Sequence, residues 1–591
     1  MTPLTRGSRY FDRNERCVDA TVLGTETGRP GPGAASALVV PSTDDPDWWR
    51  SAVIYQIYIR SFADGDGDGT GDLAGVRSRL GYLRDLGVDA IWFTPWYPSP
   101  LADGGYDVED YRAIHPAFGD LGQAEALVAE ALDLDIRTII DIVPNHVSDR
   151  HAWFQAALAA GSGSPERERF WFHPGKGPGG DEPPNHWVSN FQGETWTRTK
   201  NPDGSPGEWY LHLFTPEQPD LNWNHPDVRR EHEDVLRFWF DRGVAGVRID
   251  SAALLVKDAE LPEVPENPAP GRHPNTDRDE VHDIYRSWRA LADSYPGARV
   301  LVGEVWMPDP VRFTNYLRPD EMHTAFNFDL LARPWEAREL RDSITSMLAA
   351  HAPVGAPSTW VLSNHDVTRP VTRYGRQDSS FAFATKRFGT PTDLELGTRR
   401  ARAAALLVAA LPGALYIYQG DELGLAEVED LPNALREDPM YSRSNGVDPG
   451  RDGCRVPLPW SGQHPPFGFT PCDGQATHQP WLPQPEGWAR YTVEAQANDE
   501  NSMLSLYRAA LRIRRAIPGL GGGALEWLES EPETLMFSRG GRFVTVTNLG
   551  RRAIDLPEHE EILLSSTPLD RTGNGTARLA PDSTAWLRTQ H

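Results

Sequence analysis

Cysteine is scarce here: Cys17, Cys454 and Cys472 are the three in 591 residues. So few exclude a disulfide framework. Cys454 and Cys472 stand close enough in sequence to pair, and the sequence leaves that question open. Long apolar runs are also missing. No stretch reaches the roughly 20 uninterrupted apolar residues that a membrane helix needs. The first 46 residues lack the apolar middle of a secretion signal. They read as a disordered leader, and the protein as cytoplasmic. Basic residues are outnumbered, 58 Lys and Arg against 84 Asp and Glu, for a formal net charge of −26. Such a surface repels nucleic acid and anionic lipid and suits a neutral or cationic small molecule. Nothing in these features decides between a monomer and a homo-oligomer.

What is present is length for two or three domains and 39% hydrophobic residues, ample for a large core. From Trp48 onward, short apolar runs alternate with helical patterns, the signature of β/α units. Strands are expected at 53–58, 88–93, 136–143, 243–249, 299–303, 323–328, 359–362 and 414–418, with helices at 73–86 and 228–242. Eight strands with helices between them make an α/β fold, a (β/α)₈ TIM barrel. The Gly-, Pro- and Trp-rich stretch after the third strand is too long for a plain loop. It reads as an inserted subdomain at 147–222, which leaves 47–146 and 223–520 for the barrel. Residues 521–591 carry short β-like runs such as Arg542 to Val546 and read as a C-terminal β-sandwich domain. The 20 Trp residues read mainly as packing.

Barrel enzymes place their chemistry at the carboxyl ends of strands. Polar residues gather there: Asp141 and His146, Arg248 and Asp250, Glu304, then His365 and Asp366. Three acids, Asp250, Glu304 and Asp366, therefore converge on one cavity. Two carboxyl groups are the minimum for glycoside hydrolysis, one as nucleophile and one as acid and then base. Arg248 lies two residues before Asp250 and so on the same strand face, placed to keep that carboxylate ionised.

Four segments, Asp141 to His146, Gly246 to Asp250, Gly303 to Trp306 and Ser363 to Asp366, resemble in order and spacing the conserved blocks of glycoside hydrolase family 13, the α-amylase superfamily. Gln218-Pro219-Asp220-Leu221-Asn222 resembles the further block of the oligo-1,6-glucosidase and α-glucosidase subgroup. The resemblance implies Asp250 as nucleophile, Glu304 as general acid/base, and Asp366 as the acid that favours the distorted sugar. His146 and His365 would bind the sugar at the same subsite. Asp103 and Arg451 would grip the non-reducing-end glucose and close the pocket behind it, with Tyr106 stacked under the ring. Asp64, Asp66, Asp68, Thr70 and Asp72 form an acidic, Gly-rich loop that begins like an EF-hand but lacks its distant Glu. It matches the subgroup's calcium loop and implies a structural Ca²⁺, with Mg²⁺ as the other candidate ion. The residue after the nucleophile is Ser251, where Val accompanies α-1,6 activity in similar enzymes.

The implied function is a retaining exo-α-glucosidase acting on maltose and short α-gluco-oligosaccharides, with α-1,4 bonds favoured over α-1,6. Two other readings share the scaffold. A glucosyl-transferring relative, such as a trehalose synthase, uses the same covalent intermediate. A non-catalytic scaffold barrel resembles the amino-acid transporter heavy chains. Those carry a membrane helix and can lack the acids, which this chain keeps.

Overall fold

The computed structural model describes residues 45–590 apart from 202, 472–477, 518 and 574. Nearly all of the expected leader, and the Cys454–Cys472 pairing, lie outside the described residues. Eight parallel strands form one sheet: β1 (Val53–Ile57), β2 (Ala90–Phe93), β3 (Arg137–Ile142), β4 (Gly246–Ile249), β5 (Val300–Gly303), β6 (Thr324–Ala325), β7 (Thr359–Val361) and β8 (Ala414–Tyr418). Their order is β7-β8-β1-β2-β3-β4-β5-β6. The remaining seam, β6 to β7, is bridged by side-chain bonds, among them those of Thr359. The Thr359 hydroxyl donates to the Ala325 carbonyl and accepts from Asn327 N at 3.2 Å. The fold is thus a (β/α)₈ barrel.

Period two along each strand sorts the side chains. Tyr55, Ile57, Ile91, Phe93, Ile140, Ile142, Val247, Ile249 and Leu301 join the large cluster shared with the surrounding helices. The alternate residues Ile54, Trp92, Ile139, Val302, Val361 and Tyr416 fill the barrel. Continuing the inward register upward brings Gln56, Asp141, Arg248 and Glu304 into the barrel mouth. A strand that buries both faces gains nothing from these polar residues unless they meet partners there.

Two elements depart from the sequence expectation. The helix expected over 73–86 is two helices, Leu73–Ser78 and Leu80–Leu86, broken at Arg79 with φ −112° and ψ 6°. The Arg79 guanidinium lies 4.5 Å over the Trp460 ring, a tertiary contact that local periodicity does not contain. The sixth strand, expected over 323–328, is only two residues long. The Asn327 side chain accepts from Leu330 N and starts a helix at Phe328.

Between β3 and β4 the chain forms a helix, Ala152–Ala160, and a small antiparallel sheet of Phe172–His173, Pro206–Leu211 and Trp196–Lys200. Trp171, Trp187, Trp196, Leu211 and Leu213 make its core together with Leu261 from the loop after β4. Backbone bonds from Leu221 N to Asn145 O (2.9 Å) and from Val147 N to Pro219 O (3.3 Å) fasten it over the barrel mouth. After residue 521 come a five-stranded and a three-stranded antiparallel sheet. They seat on the barrel through Thr584 Oγ1 to Ala403 O (2.9 Å) and Trp586 Nε1 to Leu406 O (3.1 Å).

Candidate active site

Arg248 is the centre of one charge cluster. Its Nη1 lies 2.8 Å from Asp141 and 2.7 Å from Asp250, and its Nη2 lies 2.8 Å from Glu304. Glu304 also accepts from Ser251 N at 2.9 Å and Trp306 Nε1 at 3.1 Å. Ser251 holds φ at 46°, in the left-handed region, and this turn delivers its N–H to Glu304. Arg451 is the centre of a second cluster. It bonds Asp103 at 2.6 Å, Asp366 at 3.0 Å and Asp438 at 2.5 Å, and Arg455 adds a 2.9 Å contact to Asp366.

A neutral chain runs from the first cluster toward the second, where His365 Nε2 stands 3.5 Å from Asp366. The Tyr106 hydroxyl donates to Asp141 Oδ2 at 2.9 Å and meets His365 Nε2 at 2.7 Å, and Gln56 Nε2 meets His365 Nδ1 at 2.7 Å. Gln56 as donor fixes the His365 tautomer with its proton on Nε2, which the phenol oxygen accepts. Tyr106 and Asp103 reach the site on a tight turn. Gly104 (φ 58°) and Gly105 (φ 107°) reverse the chain, and the Asp107 carboxylate accepts from Ala102 N and Asp103 N.

Both clusters face one cavity of about 400 Å³. Asp103, Tyr106, His146, Asp366 and Arg451 line its polar side. Asp250 and Glu304 line it too, and Trp306, Phe383, Leu254, Phe191, Phe214 and Met440 are among its apolar lining. A model of the α-amylase catalytic domain matches residues 56–521 of the chain. The chain belongs to the α-amylase family.

The enzyme is a glycoside hydrolase of the family's α-glucosidase group. It is 36% identical to a probable α-glucosidase of Rhizobium meliloti (strain 1021), over 85% of this chain and 88% of the relative. It is 33% identical to a trehalose-6-phosphate hydrolase of Escherichia coli (strain K12), over 86% and 91%. Among solved structures, an α-glucosyl transfer enzyme superposes with a TM-score of 0.79 at 33% identity, covering 92% of this chain and 99% of that one.

The electrostatics of the enzyme's two clusters differ. Burial pushes Asp250 well above the ordinary carboxylate range, Arg248 pulls it back, and Glu304 and Asp141 push it up again. Burial likewise takes Asp141 to about 7. Three carboxylates on one guanidinium carry two uncompensated charges when all are ionised, so the group as a unit keeps a proton. At Asp366 burial opposes ionisation, but His365, Arg451 and Arg455 overcome it and hold the carboxyl well below its usual range. His365 and His146 are themselves pushed down by burial, to about 3 and about 4, and are neutral at working pH.

The acidic loop gathers only part of its expected set. Carboxylate oxygens of Asp64, Asp66 and Asp72 lie within 4.8 Å of one another. Asp68 is not among them. Its Oδ1 accepts from Thr70 N at 2.7 Å. Burial, with Asp66 and Asp64 adding to it, lifts Asp72 to about 6. Three converging carboxylates repel unless a cation lies between them, so the donor set suits a hard divalent ion.

Several site residues were not singled out in the sequence. Trp306 follows Glu304 by two residues, past the end of β5 at Gly303, where strand alternation no longer places it. Gln218 reaches Asp103 Oδ2 at 3.1 Å and His146 Nε2 at 3.0 Å. Its motif was visible, its contacts were not. Asp438, Arg455, Phe191, Phe214 and Phe383 come from separate long loops, and no periodicity announces them.

Proposed function

We propose that the enzyme is a retaining exo-α-glucosidase that removes the terminal glucose of short, neutral α-gluco-oligosaccharides, with maltose-type α-1,4 bonds favoured over α-1,6. The observation that carries this reading is the pairing of Asp250 and Glu304 on the two terminal nitrogens of one guanidinium. Sharing one guanidinium brings the two carboxyls close together, an arrangement compatible with the roughly 5–5.5 Å of a retaining pair. Asp250 attacks the anomeric carbon and forms a β-glucosyl ester, while Glu304 gives its proton to the leaving oxygen. Glu304, now ionised, then takes a proton from water, which attacks the same carbon and restores the α-anomer and the free Asp250. Asp366, kept ionised by Arg451 and Arg455, suits a clamp on sugar hydroxyls beside the forming positive charge.

Exo action is supported by the buried Asp103–Arg451 pair, 5% and 6% exposed, which stands as a wall at the polar side. The cavity lies at the small end of ligand sites, which span about 300–1,000 Å³. A phosphorylated sugar, as the name of the E. coli relative implies for that protein, needs a cation to receive it. Among the described residues that line this cavity, Arg451 is the cation, and Asp103, Asp366 and Asp438 already occupy it. Such a lining suits a neutral substrate. The α-1,4 preference rests on Ser251, small and polar beside both catalytic acids. Asp64, Asp66 and Asp72 would hold a structural Ca²⁺, which would neutralise their repulsion and brace the loop after β1.

A second reading, glucosyl transfer, shares every step until water enters. The apolar Trp306, which bonds Glu304, and Phe383, which packs against Trp306, favour it, because such walls hold an acceptor and limit water. A proton NMR time course with maltotriose, using Asp250→Asn as control, separates the readings. Early α-glucose with maltose supports exo-hydrolysis. New linkages point to transfer. Early β-glucose overturns the retaining mechanism, and reaction only with isomaltose overturns the α-1,4 preference.

A further inference from the structure

One buried ammonium has no part in the chemistry above. Lys386 sits in the segment between the helix ending at Tyr374 and the helix beginning at Leu394. Its side chain is 6% exposed, and its Nζ bonds Asp448 at 2.8 Å, the Gly450 carbonyl at 3.2 Å and Met440 Sδ at 3.4 Å. Asp448 is itself 9% exposed. A buried ion pair is a poor way to gain stability, because desolvation offsets most of the attraction, but it fixes geometry where both partners are fully bonded. The neighbouring groups make this geometry matter. Gly450 precedes Arg451, and Met440 lines the cavity.

The near side of the staple carries Phe383, three residues before Lys386. Phe383 lines the cavity and meets the Trp306 ring edge-on at 4.8 Å. Trp306 in turn stacks flat on Phe328 at 3.7 Å and bonds Glu304. Among the described residues, Lys386 makes the hydrogen bonds that tie the stretch 382–391 to anything outside 375–393. The other bonds there are internal, such as Arg376 Nη1 to Lys386 O (2.9 Å) and Arg387 Nη1 to Ser380 O (2.8 Å).

We propose that Lys386 is a positioning residue: by fastening its own loop to the loop that holds Arg451, it sets Phe383 against Trp306 and so shapes the leaving-group wall of the cavity. The proposal rests on the reading of Glu304 as the acid that faces the leaving group. It predicts that Lys386 governs leaving-group and acceptor binding without touching either.

The test compares Lys386→Met, Phe383→Ala and the double variant with p-nitrophenyl α-glucoside as substrate, alongside hydrogen exchange of the intact enzyme. Each single variant is expected to raise KM about tenfold with kcat within about threefold, and the double variant to be no worse than Phe383→Ala. In Lys386→Met, peptides covering 382–391 should exchange about tenfold faster while those of β4 and β5 do not change. Additive KM effects, or a fall in kcat at unchanged KM, overturn the proposal. So does unchanged exchange at 382–391. Should Lys386→Met fail to fold, Asp448→Asn takes its place with the same two readouts. Absence of turnover by the unaltered enzyme would refute the α-glucosidase reading, and exchange alone would then decide the role of Lys386.

Discussion

The sharpest consequence of the geometry concerns Glu304→Gln. Two N–H groups donate to this carboxylate, Ser251 N and Trp306 Nε1, and Arg248 Nη2 stands 2.8 Å away as its ion-pair partner. An amide offers one acceptor oxygen, and its best orientation turns that oxygen to Arg248 and Ser251. The amide nitrogen then faces the Trp306 N–H, which loses its acceptor at a cost of about 1–3 kcal/mol. The fold should survive that. Loss of the acid should slow maltose hydrolysis by about 10²–10⁴-fold, roughly 3–5 kcal/mol of barrier. A dinitrophenyl α-glucoside needs no protonation of its leaving group. Its first step should persist, with a burst of phenolate and accumulation of the glucosyl-enzyme, because water activation is lost as well.

Added azide, which needs no base, should then restore turnover and yield the α-glucosyl azide. Equal losses on maltose and the dinitrophenyl glucoside would refute the reasoning, as would a β-glucosyl azide product.

Asp250→Ala should lose nearly all turnover and be rescued by azide with the opposite outcome, a β-glucosyl azide from the α-substrate. An α-azide there would move the nucleophile elsewhere. Removal of bound metal with a chelator should lower the melting temperature, and Ca²⁺ should restore it. An unchanged melting curve would reject the metal at Asp64, Asp66 and Asp72. Ser251→Val should shift the isomaltose-to-maltose ratio of kcat/KM toward isomaltose. An unmoved ratio would break the link between this position and linkage.

The gathering of polar side chains at the barrel mouth was legible wherever strand geometry carried it. Asp141, Arg248 and Glu304 stand in the inward register of strands whose other inward residues are Ile139, Val302 and similar core groups. A polar residue there needs a reason, so the pattern itself raised the question of function. Trp306 lies beyond the end of β5, and a tryptophan in a chain with 20 of them carries little information one at a time. The misjudged elements have local causes that hydrophobic spacing does not encode. Asn327 ends β6 early by capping a helix, and Arg79 breaks a helix to reach Trp460. Loop residues were the hardest. Asp438, 72 residues after Asp366, meets it on the same Arg451 only because the chain after β8 returns to the barrel mouth. The same return makes Lys386 legible only in three dimensions. Its acceptors at 440, 448 and 450 lie on that loop, and their meeting is what turns an ordinary lysine into a determinant of the cavity's shape.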